Sequence, residues 1–295
     1  MHPFRVIYDR LPASIRSTVR RVVPDTILHW YAQKNTDVYL ISYPKCGRTW
    51  LRLMIGHAIT GHYNLPENEE NLFLRWKTSP SPEIPRIKVI HDDRPMLRTP
   101  DELEESKKRY KGKRVILLVR DPRDVVVSSF YEMKNRAHLF GENPYEERKA
   151  EFDGSLTEFI YRDQGGFRTI LRFYNIWAEN MDMPDGLFLV RYENIVANPE
   201  KELRGVIDFL GLTWITDQTV AEAVEFASFD NMRRMEMEGE FNSGILNPAD
   251  RSNIDSYKTR KGKVQGYLES VPQAEIDFMN QQIRENLSPF FGYST

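Results

Sequence analysis

The stretch from residue 38 to residue 51 (VYLISYPKCGRTWL) combines the residue types that bind phosphate groups. An apolar run of β-forming residues leads into Lys45 and Arg48, and a helical pattern begins directly after them. A tight loop between a strand and a helix directs backbone N–H groups and the positive end of the helix dipole at one point, where the two cations add full charges. The stretch therefore predicts a phosphate site.

The ends of these two elements depend on individual residues. Pro44 ends the strand because it has no N–H for the sheet ladder, and Gly47 permits a tight turn. Thr49 is the expected cap of the helix and Gly61 its expected end. The helix itself is indicated by apolar residues at helical spacing, namely Trp50, Leu53, Met54, Ala58 and Ile59.

This loop differs from the ATP-binding pattern G-x-x-x-x-G-K-[ST]. In that pattern the lysine follows the second glycine, and the hydroxyl residue behind it holds magnesium. Here Lys45 precedes Gly47, and the loop is shorter. The stretch alone also fits an ordinary strand–turn–helix in which Lys45 and Arg48 are solvated, so the rest of the chain has to decide between the two interpretations.

A second candidate phosphate site follows the apolar run RVILLV at 114–119, which is typical of a strand buried on both faces. Arg120 comes directly after this run, and Ser128 lies eight residues further on, in a predicted helix. A guanidinium can bind a phosphate through two parallel hydrogen bonds. The alternative is a salt bridge from Arg120 to Asp121 or Asp124.

A third candidate is the cationic run KTRKGKVQG at 258–266. A run of charge is ordinarily a solvated surface, but glycines at 262 and 266 flank this one. A fourth is His91, one of six histidines, which ends the short β-like run IKVIH beside a loop. Its near-neutral pKa suits proton transfer, and a structural histidine is the alternative. Asp92 and Asp93 would either orient the imidazole or cap the next turn.

Composition excludes several classes of protein. The net charge of −2 and the pI near 6.4 argue against a nucleic-acid partner bound through bulk charge. A lone cysteine, Cys46, excludes an intrachain disulfide framework and a multi-cysteine metal site, and it fits a reducing compartment. No apolar run approaches the length of a membrane span, and the first residues lack the apolar core of a signal peptide. These features predict a soluble cytoplasmic protein.

Strands and helices alternate along the chain. Further strands are predicted at 87–91, 114–119 and 186–191, and further helices at 100–110, 125–134, 170–181, 199–210, 219–226 and 272–286. This alternation predicts one α/β domain, residues 1–295, with a central parallel sheet flanked by helices and with ligands at the carboxyl ends of the strands. Residues 1–36 are predicted to be a helical lead-in, and residues 231–263 a mobile loop over the site without a core element.

In chain order, three motifs resemble those of the soluble sulfotransferases that use 3′-phosphoadenosine 5′-phosphosulfate (PAPS). The run YPKCGRTW resembles their 5′-phosphate loop, and Arg120 with Ser128 resembles their 3′-phosphate element. Residues 260–266, RKGKVQG, resemble their RKGxxG segment with one residue more between the glycines. The resemblance extends from about residue 38 to residue 266 and implies a fold like that of P-loop nucleoside-triphosphate hydrolases. The residues that it implies for the nucleotide are Lys45, Cys46, Gly47, Arg48, Thr49, Trp50, Arg120, Ser128, Arg260, Lys261 and Gly262.

Weaker matches concern the nucleoside and the chemistry. Phe229 lies in a segment that resembles S-F-x-x-M, whose phenylalanine stacks on adenine opposite the tryptophan matched by Trp50, and Tyr192 matches a tyrosine at the adenine edge. The resemblance implies that His91 removes the proton of the acceptor and that Lys45 stabilises the leaving phosphate.

Two departures from the family are visible. The family often has Lys-Thr before the histidine, where this chain has Val89-Ile90, so Lys45 has to carry more of the charge compensation. The family also continues Asp-Trp after the last glycine of RKGxxG, where this chain has Tyr267-Leu268.

The resulting hypothesis is a PAPS-dependent sulfotransferase that acts on a hydroxyl or amine of a small-molecule acceptor without a metal. A nucleotide kinase and a non-catalytic nucleotide-binding module are the alternatives. The identity of the acceptor stays open, with 73–86, 136–153 and 232–256 as the segments expected to line its pocket. A homodimer also stays open, because the dimer segment of animal members is not clearly present near Ser270.

Overall fold

Four parallel strands form the sheet of this α/β domain, which a computed structural model describes for residues 35–76, 78–136, 152–242 and 244–293. The strands are β1 (Val38–Ser42), β2 (Ile87–Ile90), β3 (Arg114–Val119) and β4 (Gly186–Arg191). Their order across the sheet is β2-β1-β3-β4. The predicted fold class is confirmed.

The register of the sheet sets the carboxyl ends of the strands side by side. Ser42 at the end of β1 pairs with Leu118 of β3, and Val119 pairs with Arg191 at the end of β4. β1 is buried along its whole length and β3 almost so, because these two central strands are covered on both faces. The loops that leave the four strands therefore begin at one edge of a rigid core.

Helices cover the sheet in two packed groups. In one group α1 packs against α7 and α8, and in the other α3 packs against α4 and α5, which also contacts α10. The described helices are α1 (Arg48–His62), α2 (Glu69–Leu72), α3 (Pro122–Arg136), α4 (Leu156–Tyr161), α5 (Phe167–Glu179), α6 (Tyr192–Ala197), α7 (Pro199–Phe209), α8 (Asp217–Phe226), α9 (Phe229–Glu238) and α10 (Gln273–Asn286).

Several predicted boundaries need correction. Thr49 does not cap α1: the helix begins at Arg48 after Gly47, which adopts a left-handed conformation and caps it without a side chain. Gly61 does not end this helix, which continues to His62. The predicted helix at 100–110 is instead two short 3₁₀ turns, Pro100–Glu102 and Lys108–Tyr110.

The prediction that residues 231–263 hold no core element is wrong. Helix α9 extends to Glu238 and buries Met232, Met235 and Glu236. Short 3₁₀ turns follow at Gly244–Leu246 and Ile254–Ser256. The expected mobility of this segment stays a prediction. Most of the predicted lead-in at 1–36 and most of the predicted pocket segment at 136–153 lie outside the described residues, at 1–34 and 137–151.

Among the described helices, none combines the length and the apolar character that a bilayer crossing requires.

Candidate active site

The carboxyl ends of all four strands open into one cavity of about 650 Å³. His91 follows β2, Arg120 follows β3 and Tyr192 follows β4, while the loop after β1 contributes Lys45. Thirteen of the fourteen residues that the sequence assigns to the site line this cavity. They are Lys45, Gly47, Arg48, Thr49, Trp50, His91, Arg120, Ser128, Tyr192, Phe229, Arg260, Lys261 and Gly262.

Cys46 is the exception, because it is fully buried and does not line the cavity. Its Sγ lies 3.5 Å from the hydroxyl of Tyr174, and burial raises the pKa of the thiol to about 12. The thiol is therefore a packing group, and the predicted role of Cys46 in cofactor binding, which stays a prediction, is left to its backbone amide.

The loop after β1 has a backbone that only certain residues adopt easily. Gly47 has φ +92°, and a side chain there would collide with the ring of Tyr192, whose Cδ2 would lie 2.6 Å from the added carbon. Lys45 also has a positive φ, 74°. Such a conformation in a non-glycine residue costs about 1–3 kcal/mol and is concentrated at functional sites. The tight turn predicted for Gly47 is present.

Lys45 shares a partly buried carboxylate with Lys258. Glu132 of α3 accepts from Lys45 Nζ through Oε2 at 2.6 Å and from Lys258 Nζ through Oε1 at 2.8 Å. Burial lowers the pKa of Lys45 to about 7, although Glu132 opposes that shift. Burial opposes the ionised form of Glu132 too, but Lys258, Lys45 and Arg136 outweigh it and hold the pKa of this carboxyl well below its ordinary value.

A second buried carboxylate connects this cluster to the cationic run. Glu236 of α9 accepts from the backbone N of Lys258 at 2.6 Å and from the backbone N of Thr259 at 2.9 Å. Arg136 bridges Glu236 and Glu132, at 3.3 Å from each. The run is therefore anchored to α3 and α9 through charged groups inside the protein.

His91 has the tautomer that a general base requires. Its Nδ1 lies 3.0 Å from the carbonyl oxygen of Ser42. Because a carbonyl only accepts hydrogen bonds, Nδ1 of the neutral ring carries the proton and Nε2 is left as the acceptor. Burial lowers the pKa of His91 well below its ordinary value, and the nearby charge of Arg48 lowers it further. The ring is therefore neutral near pH 7.

The two aspartates after His91 do not orient its imidazole. Asp92 is buried, forms an ion pair with Lys107 at 2.8 Å and accepts a hydrogen bond from Arg109. Asp93 accepts from the backbone N of Glu104 at 2.7 Å. The Ser42 carbonyl holds the ring instead.

Arg120 lines the cavity and also forms the salt bridge to Asp124 that the sequence offered as an alternative, while its contact with a phosphate stays a prediction. Its Nη2 lies 3.5 Å from Asp124 and donates to the carbonyl of Lys263 at 2.9 Å, while the guanidinium carbon lies 4.3 Å from the centroid of the Tyr192 ring. Asp124 also accepts from the backbone N of Tyr267 at 3.0 Å. Although Tyr267-Leu268 stands where the family has Asp-Trp, the end of the cationic run is therefore still bonded to α3 through Asp124.

The rest of that run lies close to aromatic rings. Gly262 has φ +63°, and a side chain on it would approach the ring of Phe229 to 2.6 Å. The hydroxyl of Tyr192 donates to the carbonyl of Gly262 at 3.2 Å. Arg260 stacks over Tyr131, with its guanidinium carbon 4.0 Å from the ring centroid. Trp50 meets Tyr192 edge to face at 5.8 Å.

Another part of the cavity wall is largely apolar. Two residues of the segment 232–256, Met232 and Ile245, line it together with Met96 and Met133. None of the described residues of 73–86 lines the cavity, so the expectation for that segment is wrong. Phe73 and Phe241 instead pack against each other behind the wall, with ring centroids 4.9 Å apart.

Sequence reasoning missed Glu132, Lys258 and Arg52 as cavity residues. For two of them a signal exists in the spacing, because Glu132 lies four residues after Ser128 and Arg52 four residues after Arg48, and residues four apart share a helix face. Lys258 stands at the start of the cationic run, but no pattern indicated its partner. Within the described part of the chain, no group of His, Cys, Asp and Glu side chains could hold a metal ion.

The model of the sulfotransferase domain family matches residues 35–291, which is most of the chain. The chain belongs to the sulfotransferase family. It is an enzyme of sulfuryl transfer, and the cavity at the strand ends is the site that its family motifs line.

Named relatives agree with this assignment. Cytosolic sulfotransferase 12 of Arabidopsis thaliana is 23% identical over 86% of this chain and 78% of its own length. Flavonol 3-sulfotransferase of Flaveria bidentis is 24% identical over 85% of this chain and 81% of its own length. Among solved structures, mouse sulfotransferase SULT7A1 complexed with PAP superposes with a TM-score of 0.57 at 19% identity, covering 85% of this chain and 84% of that one. The superposition shows a shared fold.

Proposed function

We propose that this sulfotransferase uses PAPS as its sulfuryl donor and transfers the group to a hydroxyl or amine of a small-molecule acceptor. The observation that carries the proposal is the convergence of Lys45, Arg120 and Arg260, from three distant parts of the chain, on one cavity. A nucleotide with phosphate groups at both ends of its ribose is a ligand that such separated cations match. The superposed mouse structure is a complex with PAP, which supports the same choice.

The nucleotide would be bound from both ends. The loop residues Lys45, Gly47, Arg48 and Thr49, with the amide of Cys46, would hold the 5′-phosphosulfate. Arg120, Ser128 and the segment 260–262 would hold the 3′-phosphate. Adenine would stack between Trp50 and Phe229, with Tyr192 at its edge.

The transfer would be an in-line displacement at sulfur. The acceptor oxygen or nitrogen gives its proton to Nε2 of His91 and forms a bond to sulfur, while the bond from sulfur to the 5′-phosphate oxygen breaks. Negative charge grows on that oxygen, where the ammonium of Lys45 and the loop amides stabilise it. Lys258, which shares Glu132 with Lys45, brings a second ammonium close to this point. It supplies the cation that the absent Lys-Thr pair would otherwise provide.

This scheme requires no metal, because the cations of the chain compensate the charges of the nucleotide. A kinase on the same fold would need a magnesium-holding hydroxyl directly after the loop lysine, where this chain has Cys46. We also propose a cytoplasmic location, in line with relatives named cytosolic sulfotransferases.

An acceptor screen tests the proposal directly. The chain is incubated with labelled PAPS and pools of alcohols, phenols, sugars and amines, and label transfer is measured by mass spectrometry, with and without EDTA. We expect transfer that EDTA does not reduce, and binding of PAP in calorimetry. PAP binding without transfer to any acceptor would favour the non-catalytic module, and turnover of ATP with magnesium would favour the kinase.

A further inference from the structure

Arg52 is a cavity residue that the proposed reaction does not use. Its Nε and Nη2 both donate to the carbonyl oxygen of Phe73, Nε at 3.0 Å, and its guanidinium carbon lies 5.7 Å from the centroid of the Phe73 ring. The third nitrogen, Nη1, has no hydrogen-bond partner in the described part of the chain, and no carboxylate there forms an ion pair with Arg52. The side chain is thus fixed at one edge and open toward the cavity.

The surroundings of Arg52 are unfavourable for a cation. Burial, together with the positive charges of Arg48 and Arg75, lowers its pKa to about 9. Arg48 precedes Arg52 by one helical turn of α1, and like charges at that spacing repel each other. Arg52 is partly buried, and a charge that is removed from water without an ionic partner is costly.

The position of Arg52 separates it from the proposed phosphate contacts. Arg48 lies at the first position of α1, close enough to His91 to lower the pKa of that imidazole. Arg52 lies one turn further along the helix, about 6 Å away along its axis. It is held by Phe73, which packs against Phe241 behind the wall of the cavity. His91, Arg48 and Arg52 all line the cavity.

We propose that Arg52 selects acceptors that carry a second, anionic group, such as a carboxylate, in addition to the hydroxyl or amine that is sulfated. The hydroxyl or amine lies at His91 and the anion at Nη1 and Nη2 of Arg52, beyond Arg48. A guanidinium fork matches a carboxylate in shape and charge. This inference rests on the proposed function, since it names the acceptor class of the same site.

The test compares hydroxy acids with their uncharged esters. Labelled PAPS is offered with p-coumarate and its methyl ester and with lactate and its methyl ester, and kcat/KM is measured for each. We expect that the acid with the higher kcat/KM of the two exceeds its own methyl ester in kcat/KM by at least about tenfold. In Arg52→Gln the ratio of kcat/KM for the acid to kcat/KM for the ester should fall to about three or less. Arg52→Lys should keep part of the preference for the acid. The KM for PAPS should stay within about threefold of the parent value.

Arg75→Gln is the matched control. Arg75 is a neighbouring arginine that pairs with Glu69 at 3.5 Å and does not line the cavity. Its removal should leave the ratio of acid to ester unchanged. If Arg75→Gln lowered this ratio as much as Arg52→Gln does, the preference would reflect general positive charge and the inference would be overturned.

The failures of the two proposals are distinguishable. No binding of PAP and no transfer from PAPS would remove the proposed function itself. Transfer to esters or other uncharged acceptors but to neither acid would leave that function intact and overturn the inference about Arg52. The inference would also be overturned if the preference for acids survived in Arg52→Gln. It would be overturned as well if a rise in the KM for PAPS accounted for the lost activity, because Arg52 would then bind the nucleotide.

Discussion

The two ends of the proposed nucleotide site hold positive charge in different chemical forms. Near the loop after β1, burial brings the pKa of Lys45 down to about 7 and keeps His91 neutral. Near β3, burial also acts on Arg120, but Tyr192 and Asp124 outweigh it and raise the pKa of the guanidinium. One end can therefore exchange protons near neutral pH, and the other keeps a fixed charge.

This difference separates chemistry from binding within one cavity. Groups with a pKa close to the working pH can accept or donate protons during a reaction, whereas a permanent guanidinium is suited to holding a phosphate. The loop end also stores strain in the positive φ of Lys45, while the Arg120 end is held by backbone contacts to Lys263 and Tyr267. Substitutions at the two ends should affect different kinetic quantities.

The largest effect is expected for His91→Ala. Loss of a general base lowers turnover by ~10²–10⁴-fold, and the affinity for PAP should stay within about threefold because His91 contributes no charge to the nucleotide. Turnover at saturating PAPS and calorimetry with PAP measure the two quantities. A matched control is His62→Ala, which changes a histidine at the end of α1 that does not line the cavity.

A parallel fall of PAP affinity and turnover in His91→Ala would contradict the separation of the two ends. It would mean that His91 serves mainly to hold the end of β1 through the Ser42 carbonyl.

Lys45→Ala should lower kcat by ~10²–10³-fold, the range measured when one donor to a developing oxyanion is removed. The affinity for PAP should fall less, since Arg48 and the loop amides still face the 5′ end. Single-turnover kinetics with labelled PAPS separate the two effects. Lys45→Arg keeps a cation but not its compact shape or its titration, so recovery of full activity in that variant would show that fixed charge alone is sufficient at this end.

Arg120→Ala should show the reverse pattern. Truncation of one partner in a buried, hydrogen-bonded charge pair costs about 2–5 kcal/mol of binding free energy, so the Kd for PAP should rise by at least about 30-fold. Turnover at saturating PAPS should change by less than about tenfold. Calorimetry with adenosine 5′-monophosphate, which lacks the 3′-phosphate, is the control. An equal loss for both nucleotides would place Arg120 elsewhere on the ligand.

Most of the site could be predicted from sequence because its residues stand directly after strands. In a parallel sheet the carboxyl ends meet at one edge, so His91, Arg120 and Tyr192 are brought together by the fold once the strands are recognised. The strand at 114–119 was predicted to the residue because its apolar run, RVILLV, is unbroken. The cap of α1 was predicted less well, because both Gly47 and Thr49 fit a helix start by type.

The contacts between distant segments could not be predicted. Glu132 and Lys258 are far apart in the chain, and a helical carboxylate or a lysine in a cationic run is ordinarily solvated. Only the packing of α3 against the run makes these two residues a partly buried ion pair. The burial of Glu236 likewise depends on backbone N–H groups of Lys258 and Thr259, which no side-chain pattern records.

Glu132→Gln is expected to give the smallest of these effects and to test the titrating end most directly. Glu132 opposes the lowering of the Lys45 pKa by burial, so removal of its charge should move that pKa further below about 7. Lys45 is an ammonium below its pKa, so the decline of kcat/KM with rising pH should begin at lower pH in the variant. Above both pKa values, a pKa lower by about one reduces the ammonium fraction, and with it kcat/KM, about tenfold.

The pH profile distinguishes this effect from a loss of folded protein. A folding defect would lower kcat/KM at all pH values and would appear in the Tm, whereas a Lys45 pKa lower by about one leaves activity at about pH 5 nearly unchanged, halves it near pH 6 and reduces it about tenfold at pH 8. Glu179→Gln, which removes an exposed carboxylate paired with Arg172, should leave the profile unchanged. If kcat/KM declined with rising pH at the same pH in Glu132→Gln as in the parent, Lys45 would not be the group that causes this decline. The contrast between a titrating end and a fixed end would then rest on His91 alone.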